Sequence, residues 1–444
     1  MGRRTAWWRA VCRVAVVAAV AGALGTAGAG AGTPSAVAAG TPAPYGFSPD
    51  ATAVPGVAGT ADTALLQPGR TYRSSLPVTG GVHYRLELDA ASRIYVSATA
   101  VPPADATVSA SDGIRVSVRD AEGDSCSFET ESYGGGRSAR PITAVAAREP
   151  SAERSRCAGA GTYYAVVERV GTTAPEDVAW DLELATFSEP PLRDTAATTA
   201  PESWDSASPE PVTGEAETRD GGTGFASAVP LAQGVWRADV VPGQTAFYKV
   251  PVGWGEQLSA SAELAGSAEG SRIAVGALEL SVHNPVRAPL DDVSLNYHGT
   301  RRSVALDPLP PVAYENRYGN TDQVRGVRFG GSYYLVVHVA PQLAERFGDG
   351  PYALTLRVRV DGPEERGPAY AGRFAPRDVF TAVEAGEPGG SAASGGGSGD
   401  GSGGDDTVLT VVAVGGIGGG TVILAVLAVW AGVGRRRAPQ SWSR

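Results

Sequence analysis

The sequence is poor in lysine, methionine and cysteine: of its 444 residues, only Lys249 is a lysine, one is a methionine and three are cysteines. Arginine supplies the other basic residues, and acidic residues outnumber basic ones 47 to 37. No basic domain is present, which argues against a nucleic-acid-binding protein. Hydrophobic residues make up 43% of the chain, so it can bury a core and wholesale disorder is excluded. The length allows about two to three domains.

Motifs of catalysis and metal binding are also missing. The four histidines are widely separated, and none belongs to an H-E-x-x-H motif or a Cys/His cluster: His83, His283, His298 and His338. Neither a G-x-S-x-G elbow nor a P-loop occurs. We therefore expect a protein that is not an enzyme and that carries no cofactor. A site assembled across strands would escape this test, and it stays open.

The N-terminal residues 1–39 have the pattern of a secretory signal peptide. Four arginines without an acid are followed by an apolar run and by the small residues Ala36-Val37-Ala38-Ala39. The apolar run is too short for a stable membrane span. We expect residues 1–39 to be removed on export, together with Cys12.

A 28-residue uncharged stretch, 407–434, is long enough to cross a bilayer as a tilted helix. Two aspartates precede it and Arg435-Arg436-Arg437 follow it, so the positive-inside rule predicts a cytoplasmic tail at 435–444 and a body outside the cell membrane. The net charge of the whole chain is −10. Because residues 1–39 and 435–444 each contribute +4, residues 40–434 carry −18.

Two G-x-x-x-G pairs lie in the predicted span: Gly415 with Gly419, and Gly416 with Gly420. This spacing lets two membrane helices approach closely and would support a homodimer. The alternative is that a glycine-rich sequence contains such pairs by chance.

Three segments rich in Pro, Gly, Ser or Ala separate the rest of the chain into blocks. Residues 40–61 are predicted to be disordered, 188–221 to form a Pro-rich linker, and 362–406 to form a flexible Gly/Ser-rich stalk. Two blocks, 62–187 and 222–361, remain as folded domains.

The two blocks repeat each other. Gly161-Thr162-Tyr163-Tyr164 matches Gly331-Ser332-Tyr333-Tyr334 at a shift of 170, while Ser117 and Tyr133 match Ser281 and Tyr297 at a shift of 164. Short runs with period-two alternation, bounded by Gly, Pro and Asp, fill both blocks, and no capped helical window appears. The sequence therefore predicts an all-β ectodomain of two tandem jelly-roll-like β-sandwiches.

The order of motifs in each block resembles that of bacterial pre-peptidase C-terminal domains. The resemblance rests on G-x-x-x-x-Y/F near the start, on Asp112-Gly113-Ile114-Arg115-Val116, and on the G-[TS]-Y-Y-x-V-V strand. It implies small jelly-roll-like sandwiches of the kind appended to secreted proteases and other exported enzymes. This sequence is longer between the middle strands and carries no attached peptidase.

Two sets of residues are candidates for bonds beyond ordinary packing. Cys126 and Cys157 are the cysteines left after processing, and an even number in an exported chain predicts one disulfide. Asp120, Glu122 and Asp124 place alternating carboxylates around a glycine, which could supply three oxygens to calcium. The alternative is an acidic hairpin turn, which Asp and Gly favour for backbone reasons.

The architecture favours a non-enzymatic surface protein that binds or scaffolds an extracellular protein or wall component. The alternatives are an accessory subunit of a secreted hydrolase or peptidase encoded separately, and an enzyme with an unrecognised site.

Overall fold

The two repeated blocks fold as two β-sandwiches. The computed structural model describes residues 42–380, except 136–137, 151–156, 172–177, 195–196, 202 and 268–271. The chain divides into the compact units Met1–Gly386 and Glu387–Arg444, and all described residues belong to the first.

The first sandwich consists of nine strands in two sheets. A five-stranded sheet has the order β1-β2-β9-β4-β7, and a four-stranded sheet has the order β3-β8-β5-β6. The strands are β1 (Thr52–Ala53), β2 (Thr71–Leu76), β3 (Gly81–Leu88), β4 (Arg93–Val101), β5 (Gly113–Arg119), β6 (Ser125–Ser132), β7 (Ile142–Arg148), β8 (Gly161–Val170) and β9 (Trp180–Glu189).

The second sandwich repeats this arrangement with one short additional strand. Its sheets have the orders β10-β12-β19-β14-β17 and β11-β13-β18-β15-β16. The strands are β10 (Glu217–Thr218), β11 (Val229–Pro230), β12 (Gly234–Val240), β13 (Thr245–Val252), β14 (Gln257–Leu264), β15 (Ala274–His283), β16 (Pro289–Tyr297), β17 (Arg302–Ala305), β18 (Gly331–Val339) and β19 (Tyr352–Asp361).

Strand register confirms the repeat predicted from the sequence. Ser117 pairs with Val166 in the first sandwich, and Ser281 pairs with Val336 at the corresponding place in the second. Apart from the short strands β1, β10 and β11, each sandwich has eight strands in two four-stranded sheets, which is the arrangement of a jelly roll.

Each sandwich has its own core, formed by the inward positions of alternating strands. In the first, Val96, Ala98, Leu182 and Leu184 belong to one buried cluster. In the second, Ala260, Ala262, Leu354 and Leu356 belong to another. The period of two along each strand places successive side chains on opposite faces, so one face of each sheet supplies the core.

Within the described part of the chain, α-helix occurs as two short pieces, both in the second sandwich: α1 (Asp322–Gly326) and α2 (Gln342–Phe347). α2 buries Leu343 and Phe347, which lie on the same helical face four residues apart.

Both ends of the described region differ from the segments predicted to be disordered or flexible. Residues 42–53 lie against both sandwiches: the Gly46 N–H donates to the Thr223 carbonyl (3.0 Å), and β1 pairs with β2. Residues 369–380, here called the C-terminal strap, pair with the end of β9 through Ser188 and Ala375, and with the chain after β9 through Leu192 and Tyr370. Aromatic side chains of these two segments pack against the sandwiches. The Gly- and Pro-rich composition of the segments does not indicate this packing.

Several sequence predictions lie outside the described residues. They are the signal peptide at 1–39, the membrane span at 407–434 with Gly415, Gly416, Gly419 and Gly420, and the tail at 435–444. Within the part of the chain that the structure describes, no helix is long and apolar enough to cross a membrane.

Candidate interdomain cleft

The outer face of sheet β1-β2-β9-β4-β7 is covered by the second sandwich. Tyr95 on β4 and Phe187 on β9 form an apolar cluster with Val286 and Phe329 of the second sandwich. The Tyr95 and Phe329 rings meet edge to face, with centroids 5.4 Å apart. This sheet is therefore apolar on both sides, one facing its own core and one facing the other module.

Between residues that the structure describes, four Arg–Glu ion pairs cross the same interface. Three place a carboxylate of the first sandwich against an arginine of the second, and one has the reverse polarity. The nitrogen–oxygen distances are 2.6 Å for Glu183–Arg287, 2.7 Å for Glu189–Arg317, 2.6 Å for Glu149–Arg328 and 2.7 Å for Arg140–Glu279.

The carboxylate of the pair Glu183–Arg287 accepts further hydrogen bonds besides the one from the arginine. Glu183 is fully buried and also accepts from the Ser48 N–H (2.8 Å) and the Tyr45 hydroxyl (3.2 Å). Burial is the largest single influence and lowers the pKa of Arg287, but the carboxylate of Glu183 together with Tyr45 and Tyr334 produces a net rise in the pKa of the guanidinium. Burial, followed by the charge of Glu183, also raises the pKa of Tyr45. Both ionised groups are thus held by each other.

The C-terminal strap closes one side of this interface. The Ser332 N–H of the second sandwich donates to the Val379 carbonyl (2.9 Å), and the Tyr370 hydroxyl donates to Glu189 of the first (3.2 Å). Phe374 stacks on Phe380 with ring centroids 4.3 Å apart. The strap therefore contacts both modules and joins them beyond their direct contact.

Between the sandwiches lies a cleft with a volume of about 280 Å³. The first sandwich lines it with the end of β6 and the start of β7, and the second with the outer face of the sheet that contains β15, β16 and β18. Polar side chains that line the cleft include Glu131, Arg140, Ser281, His283, Asp292 and His338.

Arg140 is the one arginine or lysine among the described residues that line the cleft. Its Nη2 donates to the Glu279 Oε1 at 2.7 Å, and the guanidinium carbon lies 5.3 Å from the centre of the Tyr133 ring. Nη1 is buried and has no hydrogen-bond partner. A buried N–H of a charged group without an acceptor costs about 1–3 kcal/mol or more.

Two buried histidines lie on the second-sandwich side of the cleft. His338 Nε2 is 2.8 Å from the Ser138 hydroxyl of the first sandwich, and its Nδ1 is 2.9 Å from the Thr245 hydroxyl. Burial, with a smaller contribution from Arg140, lowers the pKa of His338 to about 3. The imidazole is therefore neutral at neutral pH and can accept one hydrogen bond while donating the other.

His283 forms a second pair with a hydroxyl, this time within β15. Its Nδ1 is 3.1 Å from the Arg287 carbonyl and its Nε2 is 3.2 Å from the Ser281 hydroxyl. Burial lowers the pKa of His283 to about 4. Since a carbonyl can only accept, Nδ1 carries the proton, and Nε2 is left to accept from Ser281.

The predicted disulfide is confirmed. Cys126 on β6 and Cys157 before β8 are bonded, with Cα atoms 5.7 Å apart. Both residues are buried and contribute to the core of the first sandwich. The bond joins two elements of one sandwich and lies outside the cleft lining.

The acidic triplet lies in a turn between β5 and β6. Asp120 is buried and its Oδ1 accepts from the Asp124 N–H (2.8 Å), while Glu122 is exposed. Gly123 has φ 91°, a left-handed conformation that glycine adopts without strain. Among the described residues, no group of three or more His, Cys, Asp or Glu side chains is placed to hold a metal ion. The calcium site at Asp120, Glu122 and Asp124 stays a prediction.

The residues of the cleft are not predicted from the sequence. His338 belongs to no recognised motif, and no pattern gives a role to Arg140, Glu183 or Glu189. One signal was available: β4, with the sequence RIYVSATAV, is apolar at successive positions, and Ile94, Tyr95 and Val96 are all buried. A strand that is apolar on both faces indicates that both faces are covered.

Comparisons with known proteins identify no family for this chain. No protein-family model matches it, and no curated protein matches it. Solved structures with some similarity include the tandem CBM22-1–CBM22-2 domains of Paenibacillus barcinonensis Xyn10C, at 11% identity over 69% of this chain and 90% of that one, with a TM-score of 0.18. Another is the CUB1-EGF-CUB2 region of human MASP-1/3, at 8% identity over 65% and 99%, with a TM-score of 0.15.

A third is Clostridium perfringens ZmpB, comprising an M60 catalytic domain with CBM51-1 and CBM51-2, at 9% identity over 65% of this chain and 34% of that one, with a TM-score of 0.15. Identities and TM-scores this low do not establish a shared family or function. The two-sandwich description rests on the strand order and register given above.

Proposed function

We propose that this protein is a non-enzymatic binding or scaffolding protein of the cell surface, which presents two β-sandwiches as one rigid body. The observation that carries the proposal is the interdomain cleft, which both sandwiches line and which buried ion pairs and the C-terminal strap hold in place. Rigid modules fixed around a polar concavity lose little conformational entropy on binding, which favours affinity.

A partner outside the cell follows from the predicted signal peptide, stalk and membrane span. The body carries −18, so an anionic wall polymer would be repelled. An uncharged wall component or an extracellular protein is the better match. The resemblance to pre-peptidase C-terminal domains supports a secreted hydrolase as one such partner, and co-purification with an exported hydrolase would test it.

Site-specific photocrosslinking on intact cells tests the proposed binding function. A benzoylphenylalanine at Pro289, an exposed residue that lines the cleft, is expected to give a discrete crosslinked product. The matched control carries the same group at Ser125, which is exposed at the other end of β6, about 20 Å along the strand from Glu131. Equal products at both positions, or none at Pro289, would contradict the proposal.

Surface display has its own test. Protease added to intact cells should remove the sandwiches and leave a tag on the C-terminal tail protected until the membrane is permeabilised. A tag digested at the same rate as the body would contradict the proposed orientation.

An enzyme is the second candidate, favoured by the pair Ser281–His283. A neutral imidazole that accepts from a serine hydroxyl and is oriented through its other nitrogen is the geometry of an activated nucleophile. A fluorophosphonate probe should then label Ser281, and His283→Asn should abolish the labelling. No labelling of the folded chain would reject this candidate.

A further inference from the structure

A second cavity lies between the two sandwiches, at the point where the described chain begins. Its volume is about 230 Å³, below the roughly 300 Å³ at which pockets for small-molecule ligands begin. Pro42 of the N-terminal segment lines it, together with small or apolar residues of both sandwiches and one acid: Ala104, Ala139, Pro341, Ala344 and Asp349. The chain itself enters this cavity, so the residues that directly precede Pro42 are the nearest candidate occupants.

Pro42 is held in place at the edge of the cavity. A Cβ added to Gly243 would lie 3.2 Å from the Pro42 ring and 3.8 Å from the Pro341 ring, so both rings pack beside this glycine. Three residues further along the chain, the Tyr45 hydroxyl donates to Glu183 of the first sandwich (3.2 Å). The N-terminal segment is therefore fixed to both sandwiches at the position from which it enters the cavity.

Asp349 is the one charged residue among the described residues that line this cavity. It lies in the turn between α2 and β19, flanked by Gly348 and Gly350, whose φ values of 89° and 78° are left-handed conformations that glycine adopts without strain. Asp349 is exposed, and it forms no hydrogen bond or ion pair with another described residue. A cation that enters the cavity would therefore have this carboxylate as its partner.

The predicted processing of the chain supplies such a cation. Removal of residues 1–39 leaves only Gly40 and Thr41 ahead of Pro42, and two residues span at most about 7 Å. Both residues are small, which suits the volume of the cavity. The Gly40 nitrogen is a neutral amide while the signal peptide is attached, and it becomes an α-ammonium group with an ordinary pKa near 8 after cleavage.

We propose that this cavity binds the mature N-terminus of the chain itself, with Gly40 and Thr41 inside it and the Gly40 α-ammonium group paired with Asp349. The pair can form only after the signal peptide has been removed. Processing would then fasten the N-terminal segment across both sandwiches and stabilise the contact between them. The proposal depends on the predicted signal peptide and is independent of the proposed binding function.

Trace acetylation of the mature full chain in detergent, analysed by mass spectrometry over a range of pH, tests the ion pair. Lys249 is the sole lysine, so it is the one other amine that the reagent can label, and it serves as the internal reference. We expect the pKa of the α-amino group to fall by at least about half a unit in Asp349→Asn, because this variant keeps the cavity and loses the carboxylate. An unchanged pKa would overturn the proposal.

Glu345→Gln is the matched control. Glu345 is an exposed acid of α2, close to Asp349 in the chain, and it does not line the cavity. Its replacement removes the same charge from the same region and should leave the pKa of the α-amino group unchanged. An equal fall in both variants would indicate a general effect of negative charge, and would also overturn the proposal.

Crosslinking with a carbodiimide tests the contact directly. The reagent activates a carboxylate, and an amine that touches this group forms an amide with it while the reagent takes up the water that is lost. We expect a peptide that joins the Gly40 nitrogen to Asp349, with a yield at least tenfold lower in urea. Absence of this peptide from the folded chain, or an equal yield in urea, contradicts the proposed docking.

The position of cleavage is a separate condition. N-terminal sequencing of the exported protein should give Gly40, and a first residue more than one position away would overturn the proposal, because the chain would then be too short or too long for the cavity. Photocrosslinking at Pro289 reports on the other cleft. A negative result in the acetylation and carbodiimide experiments therefore leaves the proposed binding function standing, and the reverse also holds.

Discussion

The two sandwiches share their inward positions and differ at their outward ones. Leu182 and Leu184 on β9 correspond to Leu354 and Leu356 on β19, and all four are buried. Packing inside a sandwich is set by the neighbours within the same copy, so these positions remain alike after the duplication.

The outward positions of the same strands are buried in one copy and partly exposed in the other. In β9 and β4, Phe187 pairs with Tyr95, and both are buried. At the corresponding place in β19 and β14, Arg359 pairs with Ser259, and both are partly exposed. The first copy therefore presents an apolar face where the second presents a polar one.

The other sheet shows the opposite difference. Arg119 and Glu168 of the first sandwich form a partly exposed ion pair at 3.7 Å. The equivalent positions in the second sandwich hold His283 and His338, which are buried against the first. The two copies thus bury different sheets against each other. The outward positions at which their sequences differ are the positions that form the contact between the sandwiches.

Breaking the buried ion pair should have the largest effect on stability. Glu183→Ala leaves Arg287 buried without its carboxylate, and we expect a loss of about 3–5 kcal/mol in the free energy of unfolding. Thr355→Ala, at the equivalent and partly exposed position of β19, should cost less than about 1 kcal/mol. Urea denaturation of both variants measures the difference. Similar losses in the two would contradict the asymmetry between the copies.

Removal of the disulfide should destabilise only the first sandwich. Cys126→Ala with Cys157→Ala opens a loop with a sequence separation of 31, and the chain-entropy model gives a loss of roughly 3–4 kcal/mol. Hydrogen exchange should show faster opening of β5, β6 and β8, with β15, β16 and β18 unchanged. Equal acceleration in both sandwiches would show that the modules unfold as one unit.

Acidification should act through the second sandwich. The pKa of His283 in the folded protein is about 4, below its ordinary value near 6.5. Between these pH values the unfolded chain binds the proton and the folded protein does not, so the free energy of unfolding decreases as the pH is lowered. Between pH 7 and 5 the expected loss from this residue is about 2 kcal/mol. Denaturation at both pH values should show a smaller loss for His283→Asn than for the wild type. Arg119→Gln at the equivalent position of the first sandwich is the control, and a pH dependence unaltered by His283→Asn would refute the assignment.

The smallest effect is expected at an exposed ion pair. Arg73 and Asp181 are 3.1 Å apart, but each side chain is about half exposed. Because solvent screens such a pair, Arg73→Gln should change the free energy of unfolding by less than about 1 kcal/mol. A loss comparable to that of Glu183→Ala would mean that burial does not decide the strength of these pairs.

The sequence predicts the interior of each module better than the contact between modules. The fold could be predicted from patterns between neighbouring residues, such as the alternation in QLSASAEL, and from the repeated motifs. The disulfide could be predicted from the even number of cysteines. Glu183 occupies an outward position next to Leu182 and Leu184, as an exposed residue would. Its partner, Arg287, lies 104 residues away, and no local pattern indicates that the two meet. The cleft escaped prediction for the same reason.

The contact between the sandwiches joins two different faces, and contacts of this kind can add further copies without limit. The remaining outer faces carry charge instead: Arg85, Glu87 and Arg115 on one, and Glu263, Arg357 and Arg359 on the other. A third module would have to bury these ions, several of which already pair with each other on the same face, and burial of solvated ion pairs costs desolvation energy. The charged outer faces therefore disfavour the addition of a further module through contacts of this kind.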